Sequence, residues 1–203
     1  MGLVYADLSV SADGFSTGYN QREEAPFGDG VQDEALHTWM FEHGENHRDE
    51  LDAIVDARAF IMGRNMFGPV RGEWTGDWRG WWGDDPPYHG PVFVLTHHPR
   101  DPVPMEGGTT FNFVTDGVES ALAQARDAAG DGDISIAGGA ETVNQYLAAG
   151  LLDVLRLHVV PLTLGLTDRA DVVRVFDGVP PLQLKTAAVR STPEVTHITY
   201  LAR

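Results

Sequence analysis

The sequence predicts an α/β protein built on a mixed, mostly parallel sheet with helices on both faces. Short apolar runs alternate along the chain with stretches whose apolar residues recur at helical spacing. Several of these runs end at glycine or proline, as buried strands do where a turn follows. Two alternating runs close the chain around Pro193. They predict an antiparallel pair at the end of the sheet.

The predicted elements follow one another from the first residues to the last. Strands are predicted at residues 3–10, 59–63, 91–96, 110–114, 133–137, 153–160, 182–190 and 195–201. Helices are predicted at residues 34–42, 48–58, 118–129 and 141–149. Asp33 or Gln32 could cap the first helix, and Gly150 ends the last one.

The prediction of each of the first three helices rests on one apolar face. The residues are Leu36, Trp39, Met40 and His43 in the first, Leu51, Ile54 and Val55 in the second, and Val118, Leu122, Ala125 and Ala129 in the third. The composition shifts nowhere sharply enough to mark a boundary. We therefore expect residues 1–203 to form a single domain.

A tryptophan-rich loop at about residues 65–91 interrupts the alternation. It holds four of the five tryptophans, which are Trp74, Trp78, Trp81 and Trp82. Long loops inside compact domains are usually functional or disordered. The loop could be a lid that stacks a flat substrate ring, or it could pack on its own chain or across a dimer interface.

Charge and cysteine content exclude several functions. The chain has 14 Lys+Arg against 30 Asp+Glu, a net charge of −16, whereas binders of nucleic acid or anionic membranes need basic surfaces. The absence of cysteine excludes disulfides, thiol nucleophiles and cysteine metal sites. No signal peptide or stretch of about 20 apolar residues is found. We expect a cytoplasmic protein with a small-molecule partner, and an anionic ligand would need a local positive region.

Three predicted strands end in residues suited to anionic oxygens. Gly138-Gly139 precedes a helix start, a geometry that binds phosphate but also serves as a tight turn. Arg64 follows Gly63 and could hold a phosphate or form a surface ion pair. Thr96, His97, His98 and Arg100 cluster after the third strand. Ligands of parallel sheets bind beyond these carboxyl ends, so the three ends together suit a dinucleotide.

These motifs, in this order, resemble the dihydrofolate reductase-like family, especially the branch of the riboflavin-biosynthesis reductase domain. The matching segments are 9–15, 62–64, 94–96, 137–140 and 157–165, which span nearly the whole chain. The resemblance implies a three-layer sandwich around a mixed sheet of about eight strands. It also implies a homodimer that reduces a small heterocycle, pyrimidine-like or pterin-like, by hydride transfer from NADPH.

The resemblance also implies roles for individual residues. The cofactor-binding candidates are Ser9, Gly63, Arg64, Asn65, Met66, Leu95, Thr96, His97, Ala137, Gly138, Gly139, Ala140, Glu141 and Thr142. The substrate-binding candidates are Phe15, Leu36, Trp39 and Trp82. Asp13 is the candidate proton donor by location, although an aspartate before glycine also forms turns.

Three departures from the family pattern matter. Met66 stands where many members have a threonine, which removes a hydroxyl donor to phosphate. Glu141 puts an acid beside the glycines. Leu36 stands near the place of the carboxylate that grips the pterin in folate reductases, which disfavours dihydrofolate as the substrate. A non-catalytic nucleotide-binding or ligand-binding module of the same fold is therefore the alternative function.

Histidines allow one further hypothesis. His37, His43 and His47 could ligate a metal in a hydrolase, but Gly44 interrupts the helical spacing and no glutamate general base is placed as in known zinc motifs. No metal site is therefore predicted. His158 alternates with apolar residues on a strand, which is typical of a buried or sheet-face histidine.

Overall fold

The computed structural model describes residues 2–31, 34–166, 169 and 171–202. It contains one sheet of nine strands. The strands are β1 Val4–Ser11, β2 Ala59–Gly63, β3 Pro91–Leu95, β4 Val103–Pro104, β5 Thr110–Val114, β6 Ile134–Gly138, β7 Val154–Val160, β8 Lys185–Ser191 and β9 Thr196–Leu201. The expected eight strands are all present, and the addition is β4, whose two residues carry no pattern of their own.

The sheet is mixed and mostly parallel, as predicted. Its order is β4-β5-β3-β2-β6-β1-β7-β9-β8. The six strands from β5 to β7 in this order run parallel. The antiparallel pairs are β4 with β5, β7 with β9, and β8 with β9. The expected terminal hairpin is therefore β8–β9, which extends the sheet beyond β7.

The described part of the chain contains five α-helices: α1 Thr38–Phe41, α2 Arg48–Val55, α3 Arg64–Phe67, α4 Gly117–Ala129 and α5 Ala140–Ala148. The helix predicted at 118–129 is α4, and its predicted stripe faces the core through Leu122 and Ala125. The helix predicted at 34–42 is reduced to α1, because Glu34 adopts a positive φ of 59° that a helix excludes. Its proposed caps, Gln32 and Asp33, lie outside the described residues.

Helices cover both faces of the sheet, so the expected three layers are present. All eight residues of β1 are buried. Val4, Ala6, Leu8 and Val10 pack in the main core with residues of α4 and α5. The alternate side chains of β1 point to the opposite face. There Trp39 of α1 donates a hydrogen bond from Nε1 to Ser9 Oγ at 2.8 Å.

The opposite face of the sheet carries two further apolar clusters. Phe67 of α3 packs with Phe60 and Met62 of β2 under the tryptophan-rich loop. Leu36 and Trp39 pack with Val160 and Val195 near α1 and α2. Within the described residues, no helix is both long enough and apolar enough to cross a membrane.

Candidate functional site

The carboxyl ends of β3, β2 and β6 lie side by side at one edge of the sheet. Gly63 pairs with Leu95, and Met62 pairs with Gly138 after a shift in register. The residues that follow these strands, Thr96, Arg64 and Gly139, therefore meet at this edge. Three segments that are far apart in the sequence come together in the structure, as expected for neighbouring parallel strands.

Two positions at this edge require glycine, each for a different physical reason. Gly63 has an ordinary φ of −77°, but a Cβ there would lie 2.5 Å from Thr142 Oγ1. A side chain at this position would therefore have to displace Thr142. Gly138 has a φ of 114°, which side chains disfavour, and its peptide bond to Gly139 is cis. A Cβ added at Gly139 would meet no atom within 4 Å, so the backbone there borders open space.

Helix α5 presents its N-terminus to that open space. Gly139 is the N-cap, and no side chain caps the helix. The backbone N–H groups of the first turn have no partners inside a helix, and the helix dipole makes this end electropositive. Ala140 and Thr142 are buried, whereas Glu141 is exposed and turns away from the core. The edge can thus hold an anion despite the acid beside the glycines.

Arg64 is the first residue of α3, and its side chain links two of the strand ends. Its Nη1 donates to Thr96 Oγ1 at 3.0 Å, and its Nη2 donates to the carbonyl oxygen of Gly72 at 2.8 Å. Its guanidinium lies 3.4 Å from the centroid of the Trp74 ring. Arg64 Nε is buried and has no hydrogen-bond partner in the protein.

Two more arginines surround this point. Burial lowers the pKa of Arg64, and the charges of Arg71 and Arg100 lower it further, because like charges nearby disfavour the cation. Arg100 also lies 5.0 Å from the Trp74 ring centroid. The protein, although its net charge is −16, therefore carries a local cationic cluster of Arg64, Arg71 and Arg100 beside the strand ends.

The remaining cofactor candidates lie around the same edge. Asn65 and His97 are exposed, whereas Met66, Leu95 and Ala137 are partly buried. Met66 and Ala137 pack against the apolar cluster of Phe60 and Phe67, so Met66 serves the core rather than presenting a polar group.

The tryptophan-rich loop packs on its own chain. Trp74 Nε1 donates to the carbonyl oxygen of His98, and Trp78 Nε1 donates to that of Phe67, at 2.8 and 3.0 Å. Trp82 lies against Tyr88 and Phe111, with ring centroids 5.1 and 6.0 Å apart. These contacts match the intramolecular packing that was one of the alternatives for this loop.

The four substrate-binding candidates lie in three different clusters. Trp82 belongs to the cluster of Phe60 and Phe67, Leu36 and Trp39 to that of Val160, and Phe15 to that of Leu166. The structure therefore brings Leu36 and Trp39 together but places Trp82 and Phe15 elsewhere. Phe15, Leu36 and Trp39 are at most 1% exposed.

Asp13 stabilises a turn. Its carboxylate accepts hydrogen bonds from Ser11 Oγ at 2.6 Å and from the backbone N–H groups of Leu164 and Gly165 at 3.0 and 2.8 Å. Burial acts to raise the pKa of Asp13, but these hydrogen bonds outweigh it and lower the pKa. An ionised carboxylate is a poor proton donor, so the structure favours the turn-forming role.

A buried polar row beneath Trp39 was not predicted as a unit. His158 and His197 stand directly opposite each other on β7 and β9. His158 Nε2 lies 3.3 Å from Asp7 Oδ1, and the Nδ1 atoms of the two histidines lie 2.7 Å apart. His197 Nε2 lies 2.9 Å from His47 Nδ1. His158 is buried, as its alternating pattern predicted.

This row ends at an ion pair on the surface. Arg190 donates from Nε and Nη2 to both carboxylate oxygens of Glu50, at 2.7 and 2.8 Å. These hydrogen bonds lower the pKa of Glu50 to about 2. Burial, together with the neighbouring His158, lowers the pKa of His197 to about 4.

The sequence contained only a weak signal for this row. Asp7 and Ser9 are polar residues in an otherwise apolar strand, and one histidine stands in each of two later strands. The cross-strand register that joins them cannot be read from the sequence. In the described part of the chain, His37, His43 and His47 do not form a group that could share a metal ion. The structure therefore does not bring together the three histidines on which the metal-hydrolase hypothesis rests.

Comparisons with known proteins agree with this fold. The family described as the RibD C-terminal domain matches residues 3–198. A putative riboflavin biosynthesis protein from a Shewanella species has 19% identity and a TM-score of 0.64, and the alignment covers 99% of each chain. A search of the curated proteins gave no match.

Two further solved structures share the fold at low identity. RibD from Acinetobacter baumannii has 14% identity and a TM-score of 0.62, and the alignment covers all of this chain but 58% of that one. Dihydrofolate reductase from Enterococcus faecalis, solved with NADP(H), has 17% identity and a TM-score of 0.56 over 98% of this chain and 96% of that one.

Proposed function

Because the chain belongs to the RibD C-terminal domain family, we propose that it is an NADPH-dependent reductase of a small heterocycle of pyrimidine or pterin type. The observation that supports this most is the convergence of Gly63, Arg64, Thr96 and Gly138 at three neighbouring strand ends. The Enterococcus dihydrofolate reductase, which shares the fold, was solved with NADP(H).

The residues present fit a dinucleotide. Gly139 faces open space beside the uncapped start of α5, where a pyrophosphate would meet backbone N–H groups. Arg64 would bind the phosphates from the other side through its guanidinium group. Thr96 and the exposed His97 would bind the adenosine end. The cofactor supplies the hydride when bound.

The protein would orient the substrate and exclude water from it. Ser9 and the turn of Asp13, Gly14 and Phe15 lie at and just beyond the end of β1, two strands from β2, where the nicotinamide end would lie. Trp39 holds Ser9 from the α1 side. With Asp13 committed to its turn, the proton that accompanies reduction would come from water or from the substrate's surroundings.

Residues 1–203 act as a single domain, which the continuous sheet supports. The protein works in the cytoplasm as a homodimer. It does not bind nucleic acid, which the net charge of −16 supports.

Binding of NADPH tests this proposal directly. Addition of NADPH should change nicotinamide fluorescence and raise the melting temperature, by the equivalent of about 2.7 kcal/mol at 100 times the dissociation constant. Arg64→Ala should weaken NADPH binding about tenfold or more, because it removes a charged phosphate ligand. Arg58→Ala is the matched control, since Arg58 is exposed and precedes β2 at the opposite edge of the sheet.

The alternative of a non-catalytic module is separated by turnover. A reductase should consume NADPH with one or more members of a panel of aminopyrimidines and pteridines, and Arg64→Ala and His97→Ala should lower this rate. A module would bind a ligand without consuming NADPH. No binding by the wild-type protein at millimolar NADPH would refute the reductase proposal.

A further inference from the structure

Two imidazole nitrogens and a carboxylate oxygen converge below Trp39. His47 Nδ1 lies 2.9 Å from His197 Nε2, which lies 3.9 Å from Glu50 Oε1. One ligand atom from each of these residues lies within 4.8 Å of the others. The nitrogen ligands of a tetrahedral zinc ion are about 3.4 Å apart. We propose that His47, His197 and Glu50 bind a divalent transition-metal ion of the zinc class.

The hydrogen-bond donors and acceptors of the row require a cation at this point. A neutral imidazole has one N–H and one lone pair. His158 Nε2 faces a carboxylate oxygen of Asp7 and so carries its proton, which leaves Nδ1 as the acceptor. His197 Nδ1 must therefore donate to it, and His197 Nε2 is left with a lone pair.

At the other end of the row, His47 also presents a nitrogen lone pair to this point. Arg190 Nη2, which can only donate, lies 3.0 Å from His47 Nδ1, so that atom also presents a lone pair. Two lone pairs then face each other across 2.9 Å, with an ionised carboxylate beside them. Such an arrangement is repulsive unless a metal ion or an additional proton lies between the two nitrogens.

The surroundings also suit a metal site. Metal-binding histidines usually donate their second N–H to an acceptor that fixes the ring. His197 has such a partner in His158, which Asp7 orients in turn. Trp39 packs over His47, His158 and His197, with ring centroids 4.8–5.4 Å away. The site is thus held between β7, β9 and the start of α2.

The donor set indicates which ions fit. Two imidazoles and one carboxylate suit Zn²⁺, Ni²⁺ or Cu²⁺, whereas Mg²⁺ and Ca²⁺ prefer sets made only of oxygen. A cavity of about 240 Å³, lined in part by Glu50, Arg190 and His197, gives access from the surface. A water molecule or a ligand from this cavity would complete the coordination.

Arg190 competes with the metal for the same groups. Its guanidinium contacts both His47 Nδ1 and Glu50, and its side chain is 44% exposed on the edge strand β8. It can therefore swing outward when a metal binds. Removal of this positive charge should strengthen metal binding, which a purely structural ion pair does not predict.

Zinc titration of the full chain tests the site without any measurement of reductase activity. Isothermal titration and elemental analysis should give one Zn²⁺ per chain in the wild-type protein. Glu50→Gln should weaken binding about tenfold or more. Arg190→Gln should strengthen it by about tenfold or more. His43→Gln and Glu45→Gln, in the same segment but outside the cluster, should leave it unchanged.

Two further measurements make the result unambiguous. Cobalt substitution should give visible absorption bands of a tetrahedral site that Glu50→Gln abolishes, and circular dichroism should show that this variant remains folded. A wild-type protein that stays free of metal at millimolar zinc overturns the proposal, and the row then holds an additional proton. Zinc binding that is equal in wild type and Glu50→Gln overturns it as well, since the ion then binds elsewhere.

Discussion

Among single residues, Gly63 is required for space and not for backbone freedom. Its φ of −77° suits any residue, but a Cβ would approach Thr142 Oγ1 to 2.5 Å. Thr142 is buried in the first turn of α5, so neither partner can move freely. The end of β2 therefore lies so close to the start of α5 that position 63 has no room for a Cβ.

This lack of space predicts a coupled pair of substitutions. Gly63→Ala should lower the free energy of unfolding by about 1–3 kcal/mol, because overpacking displaces Thr142. In the Thr142→Ala background the added methyl group has room, so Gly63→Ala should cost much less. Urea denaturation of the two single variants and the double variant measures the coupling. Additive effects would show that the two residues do not share this space.

The partly buried ring of His37 predicts a pH dependence of stability. Burial, with a smaller effect of His158, lowers the pKa of His37 from 6.5 to about 4. Between these values the unfolded chain binds a proton that the folded chain does not. The free energy of unfolding therefore falls as the pH is lowered from 6.5 to 4, by up to about 1.4 kcal/mol per pH unit for one proton.

Replacement of the ring tests this directly. His37→Phe keeps the stacking on Phe27, whose ring centroid lies 4.4 Å away, and removes the titrating group. Denaturation at several pH values should show that the free energy of unfolding of His37→Phe depends less steeply on pH between 6.5 and 4 than that of the wild type. The difference should correspond to up to one proton, and the contribution of His197 should remain. His97→Asn, at an exposed position, should keep the wild-type slope. An unchanged slope in His37→Phe would contradict the assignment.

Among the elements, the tryptophan-rich loop is irregular but fixed to the body of the protein. Between α3 and β3 it has no regular structure, yet Trp74 and Trp78 donate to backbone carbonyl oxygens. Arg79 adds a hydrogen bond to the carbonyl oxygen of Pro104 at 2.8 Å. Indole rings thus take over the anchoring that a helix or strand would provide.

Limited proteolysis tests this anchoring. Trypsin can cleave the loop after Arg71 and Arg79, and cleavage requires local unfolding. Trp78→Ala removes the hydrogen bond to Phe67, so it should speed cleavage at both sites several-fold, as measured by mass spectrometry. Trp81→Ala, which alters the same loop next to Trp78, should have a smaller effect. Equal rates in Trp78→Ala and wild type would mean that other contacts hold the loop.

In the molecule as a whole, features that depend on a local sequence pattern can be predicted from the sequence. Features that depend on pairing or packing between distant segments cannot. The α/β alternation, helix α4 and the glycines at the strand ends are visible because each depends on residues close in the sequence. The strand β4 exists because it pairs with β5. The row of His47, His158 and His197 depends on register and packing across as many as 150 positions.

The position of β6 in the sheet has a consequence for synthesis of the chain. Strand β1 pairs with β6 and β7, which begin at Ile134 and Val154. Strand β1 is therefore synthesised before either partner, and its apolar residues wait unpaired until β6 follows more than 100 residues later. Exposed unpaired strands promote aggregation. Chaperones that bind nascent chains should therefore bind this protein through strand β1.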